Sequence, residues 1–331
     1  MNSIRMMLIF GAVMTLLVVL LPNILWLLGS LVSLFAGKHL RYAPFGYASL
    51  SLALAVILAL AYGYWFGRWN LRVREVEYHN DSLPSVFQGF RIVHISDLHL
   101  CTFDDKPEKL QKFVDAVNAQ NPDLVCFTGD LVTIGKEEAQ PYANVLRSLS
   151  ARFGVVSVFG NHDFLIYNRA YTGEEERLYA VEELARFERE ELGWTLLRDS
   201  SKVITAPDGS TLTIVGVDNK NGTGQGFKTI NSGDLSEAMK GVEGFTILLS
   251  HDPGHWDAEV LPQTDIPLTL SGHTHAAQFS LFGWNPASWM FKRTYGRYDE
   301  QDQTIYVNPG LGCTLPFRIG ARPEVTVITL R

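Results

Sequence analysis

Five of the nine histidines in this 331-residue chain occur in one recurring context. A short apolar run, rich in β-branched residues, ends in a polar residue able to bind a metal ion, and this happens five times. Arg91-Ile-Val-His-Ile-Ser96 leads to Asp97 and His99, and Asp123-Leu-Val-Cys-Phe-Thr-Gly129 leads to Asp130. Val155-Val-Ser-Val-Phe-Gly160 leads to Asn161, His162 and Asp163. Phe245-Thr-Ile-Leu-Leu-Ser250 leads to His251 and Asp252, and Pro267-Leu-Thr-Leu-Ser-Gly272 leads to His273 and His275. Burying so many polar groups without partners would cost several kcal/mol, and a bound cation supplies the partner. Imidazole with carboxylate suits Mn, Fe or Zn better than Ca or Mg. The set is too large for one tetrahedral site but fits two ions sharing a bridging carboxylate. Two metals ~3.5–4 Å apart are a known device for in-line displacement at phosphorus.

Such chemistry requires elements that bring distant residues to one edge. Each apolar run reads as a buried strand of ~5 residues. Each polar group therefore lies just past the C-terminal end of a strand, where open α/β sheets bind ligands. Gly129, Gly160 and Gly272 precede the polar groups and suit tight turns. Helical spacing falls between the strands. Pro107 is placed to begin a helix carrying Leu110, Phe113, Val114 and Val117; Tyr142, Val145, Leu146 and Leu149 repeat the pattern. Glu174–Leu192 reads as an amphipathic helix stopped by Gly193, and Pro207-Asp-Gly209 as a hairpin turn between Lys202–Thr205 and Thr211–Val217. Two strand-like pieces, Thr304–Val307 and Glu324–Leu330, close the chain. The expected fold is mixed α/β with two sheets or one very large one.

Asp97-Leu-His99, Gly129-Asp130, Gly160-Asn-His-Asp163, His251 and Gly272-His-Thr-His275 resemble the five motifs of the calcineurin-like metallophosphoesterases, in order and spacing, from about residue 90 to the C-terminus. The resemblance implies an α/β fold of αββα type, a two-sheet sandwich flanked by helices. It implies two divalent metal ions, with Mn favoured over Fe or Zn. Asp97, His99, Asp130 and His275 would hold one ion; Asp130, Asn161, His251 and His273 would hold the other. Hydrolysis would then proceed by attack of a metal-bridging hydroxide on phosphorus, with His162 assisting as a general acid. One position departs from the pattern: many relatives carry a second Asp three residues after the bridging one, where this chain has Thr133. Asp163, Asp252 or another carboxylate would then have to support His162, or its effect is weaker. His255 reads as a residue that supports a ligand from behind or packs in the core, rather than as a ligand. Arg318 reads equally as a substrate arginine or a structural ion pair. Lys220-Asn-Gly-Thr-Gly-Gln-Gly226 reads as a flexible loop beside the substrate rather than a phosphate cradle, since it lacks the P-loop Lys-Ser/Thr.

The N-terminal region follows a different logic. Met6–Gly37 and Tyr42–Gly67 carry no charge, and each exceeds the ~20 apolar residues that a membrane helix needs. The first stretch, interrupted by Pro22, is too long for the ~7–15-residue core of a signal peptide. The expected organisation is a membrane anchor of two transmembrane helices over 1–70 and a metallophosphoesterase domain over 71–331, in a cell inner or plasma membrane. Arg5, Arg68, Arg72 and Arg74 outnumber Lys38 and Arg41 of the intervening loop, which places the catalytic domain in the cytoplasm.

Composition narrows the function further. A hydrophobic fraction of 47% excludes a mainly disordered chain, and a formal charge of −7 argues against a coat for nucleic acid. Cys101, Cys126 and Cys313 are too few and too scattered for a disulfide framework. No protein partner is implied. Ser250-His-Asp-Pro253 and Pro316-Phe-Arg-Ile-Gly-Ala-Arg-Pro-Glu324 resemble the bacterial membrane-associated phosphodiesterase branch, whose substrate would be a phosphodiester or phosphomonoester, with lipid-linked esters among the candidates. Two alternatives stand beside it: a pyrophosphohydrolase of the UDP-2,3-diacylglucosamine type, and a non-catalytic membrane metal-binding protein. Residues 279–298 hold seven aromatic residues with Lys292, Arg293 and Arg297 and no acid, and read either as a flap that meets membrane lipids or as a packed insertion walling the pocket.

Overall fold

The computed structural model describes residues 3–222 and 229–331, so 223–226 of the glycine-rich loop lie outside the described residues. The chain divides into two compact units: one comprises the chain up to Trp69 together with Leu315–Ile319, the other Asn70–Thr314 with Gly320–Arg331.

The first unit is a pair of apolar helices, α1 (Ser3–Phe35) and α2 (Ala43–Trp65), each long and apolar enough to cross a membrane. At 1.5 Å per residue they reach ~50 and ~34 Å, against a hydrocarbon core of ~30 Å. Helix α1 continues through Pro22, and the adjoining Asn23 takes up polar groups there. Its Nδ2 donates to the Val19 carbonyl at 2.7 Å and lies 3.0 Å from Ser49 Oγ, while Tyr42 Oη donates to Asn23 Oδ1 at 2.8 Å. In an apolar surrounding such groups need internal partners, and these tie α1 to α2. Leu315–Ile319 joins this unit: Phe317 stacks on Phe10 at 5.3 Å, and the Arg318 amide donates to the Gly63 carbonyl at 3.2 Å.

The second unit carries the chemistry. Its strands are β1 (Arg72–Tyr78), β2 (Arg91–Ile95), β3 (Leu124–Phe127), β4 (Val155–Ser157), β5 (Thr195–Leu196), β6 (Ser200–Thr205), β7 (Thr211–Gly216), β8 (Phe245–Leu249), β9 (Leu268–Ser271), β10 (Gly296–Glu300), β11 (Gln303–Val307) and β12 (Glu324–Leu330). They form two six-stranded mixed sheets, in the orders β1-β12-β2-β3-β4-β5 and β10-β11-β9-β8-β7-β6. The five apolar runs are the parallel strands β2, β3 and β4 of one sheet and β8 and β9 of the other. Ile92, Cys126 and Val156 from the first sheet meet Ile214, Ile247 and Leu270 from the second in one core. Leu248, one residue out of phase, instead packs with Trp256 and Val260. That alternation is the two-residue period of a strand between two layers.

Helix α3 (Pro107–Asn118) starts at the proline and buries Leu110, Phe113, Val114 and Val117. Helix α4 (Ala143–Arg147) is shorter than the spacing predicts, because a 3₁₀ turn takes Gln140–Tyr142. Helix α5 (Glu174–Arg186) passes into a π-turn over Phe187–Glu191. Strands β1 and β10 carry no apolar-run signature: both are rich in charged residues and alternate more with less exposed positions. None of the three cysteines is in a disulfide; Cys126 and Cys313 are buried and Cys101 half-buried.

One side chain ties the sheets together. Asn308, which follows β11 and is wholly buried, donates to the carbonyls of His94 and Glu324 at 3.2 and 3.3 Å and to Thr326 Oγ1 at 3.0 Å. Its Oδ1 accepts the Gly310 amide at 2.7 Å. Asn308→Ala strands these groups away from water, so urea unfolding of the catalytic unit should show a loss of ~2–3 kcal/mol.

Candidate metal centre

The strand-end residues converge. Three overlapping groups have ligand atoms within 4.8 Å of one another: Asp97, His99 and His275; His99, Asp130 and His162; and Asp130, His251 and His273. Asp130 and His99 each belong to two groups. Asp130 Oδ2 lies 3.5 Å from His99 Nε2 and 3.2 Å from His251 Nε2, while Asp97 Oδ1 lies 3.2 Å from His275 Nε2. His99 Nε2 faces His275 Nε2 at 3.0 Å, and His251 Nε2 faces His273 Nδ1 at 3.2 Å.

The backbone accepts strain to produce this. Asp97 (φ 51°), His99 (43°), Asp130 (60°), His273 (72°) and His275 (49°) all occupy the left-handed region. That region costs a non-glycine residue ~1–3 kcal/mol, and Asp and His enter it more readily than most. Pairing between loops fixes it: Asp97 N donates to Gly129 O at 2.9 Å, His99 N to Asp130 O at 3.1 Å, and Gly272 N to His251 O at 2.9 Å. Two glycines leave room for the carboxylates. A Cβ at Gly272 would lie 2.3 Å from Asp97 Oδ2, and one at Gly160 would lie 2.2 Å from Asp130 Oδ1.

Outer partners orient the rings. His251 Nδ1 donates to the Thr128 carbonyl at 2.6 Å, and His99 Nδ1 lies 3.3 Å from Thr133 Oγ1, so the Nε2 atoms face the cluster. His255 is bound to Ser250 Oγ at 2.8 Å and lies beside Glu259, outside the three groups.

His162 is held differently from the sequence expectation. Both Asp163 oxygens serve backbone amides, those of Asp130, Leu131, Val132 and Gly160 at 2.7–3.2 Å. Asp252 caps Gly254 N at 2.7 Å and lies 3.7 Å from His273 Nε2. The partner of His162 is the carbonyl of Thr133, 2.6 Å from Nδ1. A carbonyl only accepts, so Nδ1 carries the proton and Nε2 is the exchangeable position. Glu138 fixes that carbonyl's loop by accepting the amides of Thr133, Ile134 and Gly135 at 2.7, 2.8 and 3.1 Å. Tyr167 Oη accepts from Asn161 Nδ2 at 2.8 Å, and its ring lies 4.4 Å from that of His162. Nothing local in the sequence marks Glu138 or Tyr167.

The electrostatics favour a cation. Burial would raise the Asp130 carboxyl, but the charges of His251, His162 and His99 prevail and hold it well below the usual range. Burial would lower His251, yet Asp130 and Asp97 raise it to about 10. Asp97 is raised to about 6 and Asp163 to about 8, chiefly by burial, with Asp130 adding repulsion. Glu188, buried beneath with Ser157 Oγ 2.5 Å away, is pushed well above its ordinary value by burial and then by Asp163. Asn161 Oδ1 is buried without a hydrogen-bond partner among the described residues, while Tyr167 occupies its amide nitrogen. Such an acceptor costs ~1–3 kcal/mol unless something ligates it. Carboxylates, imidazoles and a spare amide oxygen together form a donor set that fits hard-to-borderline divalent ions.

Two helix-flanked mixed sheets with this cluster beyond their strand ends define a metal-dependent phosphoester hydrolase. Residues 90–277 match the calcineurin-like phosphoesterase family, and the chain belongs to it. It is similar to the metallophosphoesterase YkuE of Bacillus subtilis, with 33% identity over 81% of this chain and 90% of that protein. It is 30% identical to a transmembrane protein with a metallophosphoesterase domain from Danio rerio, over 92% of this chain and 68% of the relative. It is 26% identical to the UDP-2,3-diacylglucosamine pyrophosphatase LpxG of Chlamydia trachomatis, over 80% of this chain and 91% of that protein. The two apolar helices and the transmembrane relative indicate membrane association.

Gly272→Ala pushes a methyl group into Ser96 Oγ and the Asp97 carboxylate. Titration of the purified protein with Mn²⁺ should show affinity reduced ~10- to 100-fold, with the far-ultraviolet circular dichroism of the native fold retained.

Proposed function

We propose that the chain is a membrane-anchored, dinuclear-metal phosphohydrolase acting on a phosphodiester or phosphomonoester, with lipid-linked esters as the natural class. The carrying observation is that Asp130 belongs to two of the three ligand groups, as a carboxylate shared by two ions must. Asp97, His99, Asp130 and His275 would hold one ion, and Asp130, Asn161, His251 and His273 the other; Mn, Fe and Zn all suit this mixed imidazole–carboxylate set, and Mn²⁺ is the favoured candidate. Two such ions supply charge neutralisation at the phosphoryl oxygens and an activated water at neutral pH.

The remaining work falls to the protein. Asp97 and Asp130 stay fixed because their carboxylates accept the amides of His273, at 3.0 Å, and His162, at 2.9 Å. His162, half-buried with Nδ1–H committed to Thr133, presents Nε2 as the atom that passes a proton to the leaving oxygen. A backbone carbonyl thus does what a carboxylate would otherwise do, but without a full negative charge, so it steers the tautomer more than it stabilises the imidazolium.

The 26% identity to LpxG supports a second reading, hydrolysis of a nucleotide–lipid pyrophosphate. The full chain in nanodiscs, loaded with Mn²⁺, should hydrolyse bis-p-nitrophenyl phosphate, p-nitrophenyl phosphate or UDP-diacylglucosamine, and the ranking of rates assigns the substrate class. Chelation should abolish turnover and Mn²⁺ should restore it. His162→Ala should lower kcat ~10²–10⁴-fold with metal content unchanged. A metal-loaded protein inert towards all three esters would sink the hydrolase reading in favour of a non-catalytic metal-binding role.

We further infer a multi-pass arrangement with the catalytic unit in the cytoplasm, supported by four arginines outside the spans against Lys38 and Arg41 between them. A cysteine placed at the exposed Asp208 should resist a membrane-impermeant maleimide in intact cells and react after permeabilisation; labelling of intact cells would reverse the topology.

A further inference from the structure

The aromatic segment that follows the last metal motif divides into a packed base and a bare tip. At the base, Thr274 Oγ1, between His273 and His275, donates to Thr294 O at 2.5 Å, and Asn285 Nδ2 donates to Thr294 Oγ1 at 3.1 Å. Phe291 sets its ring edge-on to His273 at 5.3 Å. This half walls the metal centre.

The tip has the opposite character. Residues 280–291 hold no charged side chain. Leu281 and Trp284 pair through both backbone amides, at 2.9 and 3.0 Å, around a two-residue turn of Phe282 and Gly283 with φ of 50° and 85°. Such a turn favours Asn or Gly at both positions, and a phenylalanine there is strained. Phe282 is fully exposed (101%), Trp289 is 78% exposed, and Leu281, Met290 and Trp284 are 53, 50 and 45% exposed. Trp284 and Trp289 lie against each other at 5.4 Å, which makes the patch contiguous. A contiguous apolar patch exposed to water marks an interaction surface.

Three observations identify its occupant. Tryptophan, phenylalanine and aliphatic side chains without charge are the composition that sits at the headgroup–acyl boundary. The chain carries two membrane-length helices, and only residues 66–71 separate α2 from β1, a tether of at most ~20 Å. Gln278 at the root of the segment accepts both the amide and the hydroxyl of Thr314, at 3.1 and 2.6 Å, and Leu315–Ile319, the next five residues, belong to the helical unit. The neighbouring cations are spent on acids of the same fold: Lys292 on Asp257, and Arg293 on Asp257 and Glu300.

We propose that Leu281, Phe282, Trp284, Trp289 and Met290 form a wedge that enters the surface of the bilayer holding the anchor, and that this wedge stations the metal centre at the lipid interface. The inference rests on membrane association and not on the substrate assigned above. Because the flanking cations are paired, entry depends on apolar contact and not on anionic lipid.

The test uses the full chain in nanodiscs of phosphatidylcholine, with or without phosphatidylglycerol. Phe282→Cys and Trp289→Cys, and Asp208→Cys on the β6–β7 turn as reference, each carry a nitrobenzoxadiazole probe. Probes at 282 and 289 should be quenched by doxyl-labelled lipids and shielded from aqueous iodide, equally in both lipid mixtures, while the probe at 208 should show the reverse. Iodide quenching at 282 and 289 equal to that at 208 overturns the proposal. Shielding from iodide without doxyl quenching also overturns it, in favour of contact with a second copy of the chain. The double variant Phe282→Asp/Trp289→Asp should lose ~10-fold or more of its doxyl quenching at a probe on Met290→Cys, because it removes two large apolar side chains from the buried face. The probes need no turnover, so the wedge and the hydrolase reading can fail separately.

Discussion

Two carboxylates, Asp97 and Asp130, are buried side by side at adjoining strand ends, and the rest of the catalytic unit is arranged around that fact. Neither can be left there alone, because desolvating an unpaired anion costs far more than a domain of this size can spare. The histidines from three further loops supply positive or coordinating partners. The left-handed backbone at five of these residues aims them inward, and the pairing between loops holds that backbone in place. The mixed sheets bring five loops to one edge, so that a cluster of this kind is reachable from strands far apart in the chain.

The five strand-and-loop units were legible because buried parallel strands read as unbroken apolar runs, and because the polar residues after them stand out against those runs. Strands β1 and β10 were not legible, since each alternates charged residues along a partly exposed edge and resembles a loop in composition. The site's supports were less visible still. Glu138 and Tyr167 act through the folding of loops and obey no spacing rule. Thr133 shows the limit most plainly: its side chain suggests a missing support for His162, whereas its backbone oxygen provides one. A main-chain carbonyl belongs to every residue, so sequence alone cannot say which one will be used.

Residues 279–298 show why composition left two readings of one segment open. Aromatic and basic residues were interleaved, and composition could not say which were packed. In the fold Lys292 and Arg293 pair with Asp257 and Glu300, Arg297 pairs with Asp299 and Phe291 packs on His273, whereas the tip before them projects into solvent. One segment therefore both closes the metal centre and offers a surface, and Thr274 couples the two because it lies between the last two histidines.

The five residues Leu315–Ile319 carry a further consequence. They belong to the pair of apolar helices, although the chain on both sides of them belongs to the catalytic unit. Within that unit Phe317 stacks on Phe10 and the Arg318 amide donates to the Gly63 carbonyl. Removing the helices would leave these five residues, still joined to the catalytic unit by the chain on both sides, without the Phe10 ring and the Gly63 carbonyl that they pack against.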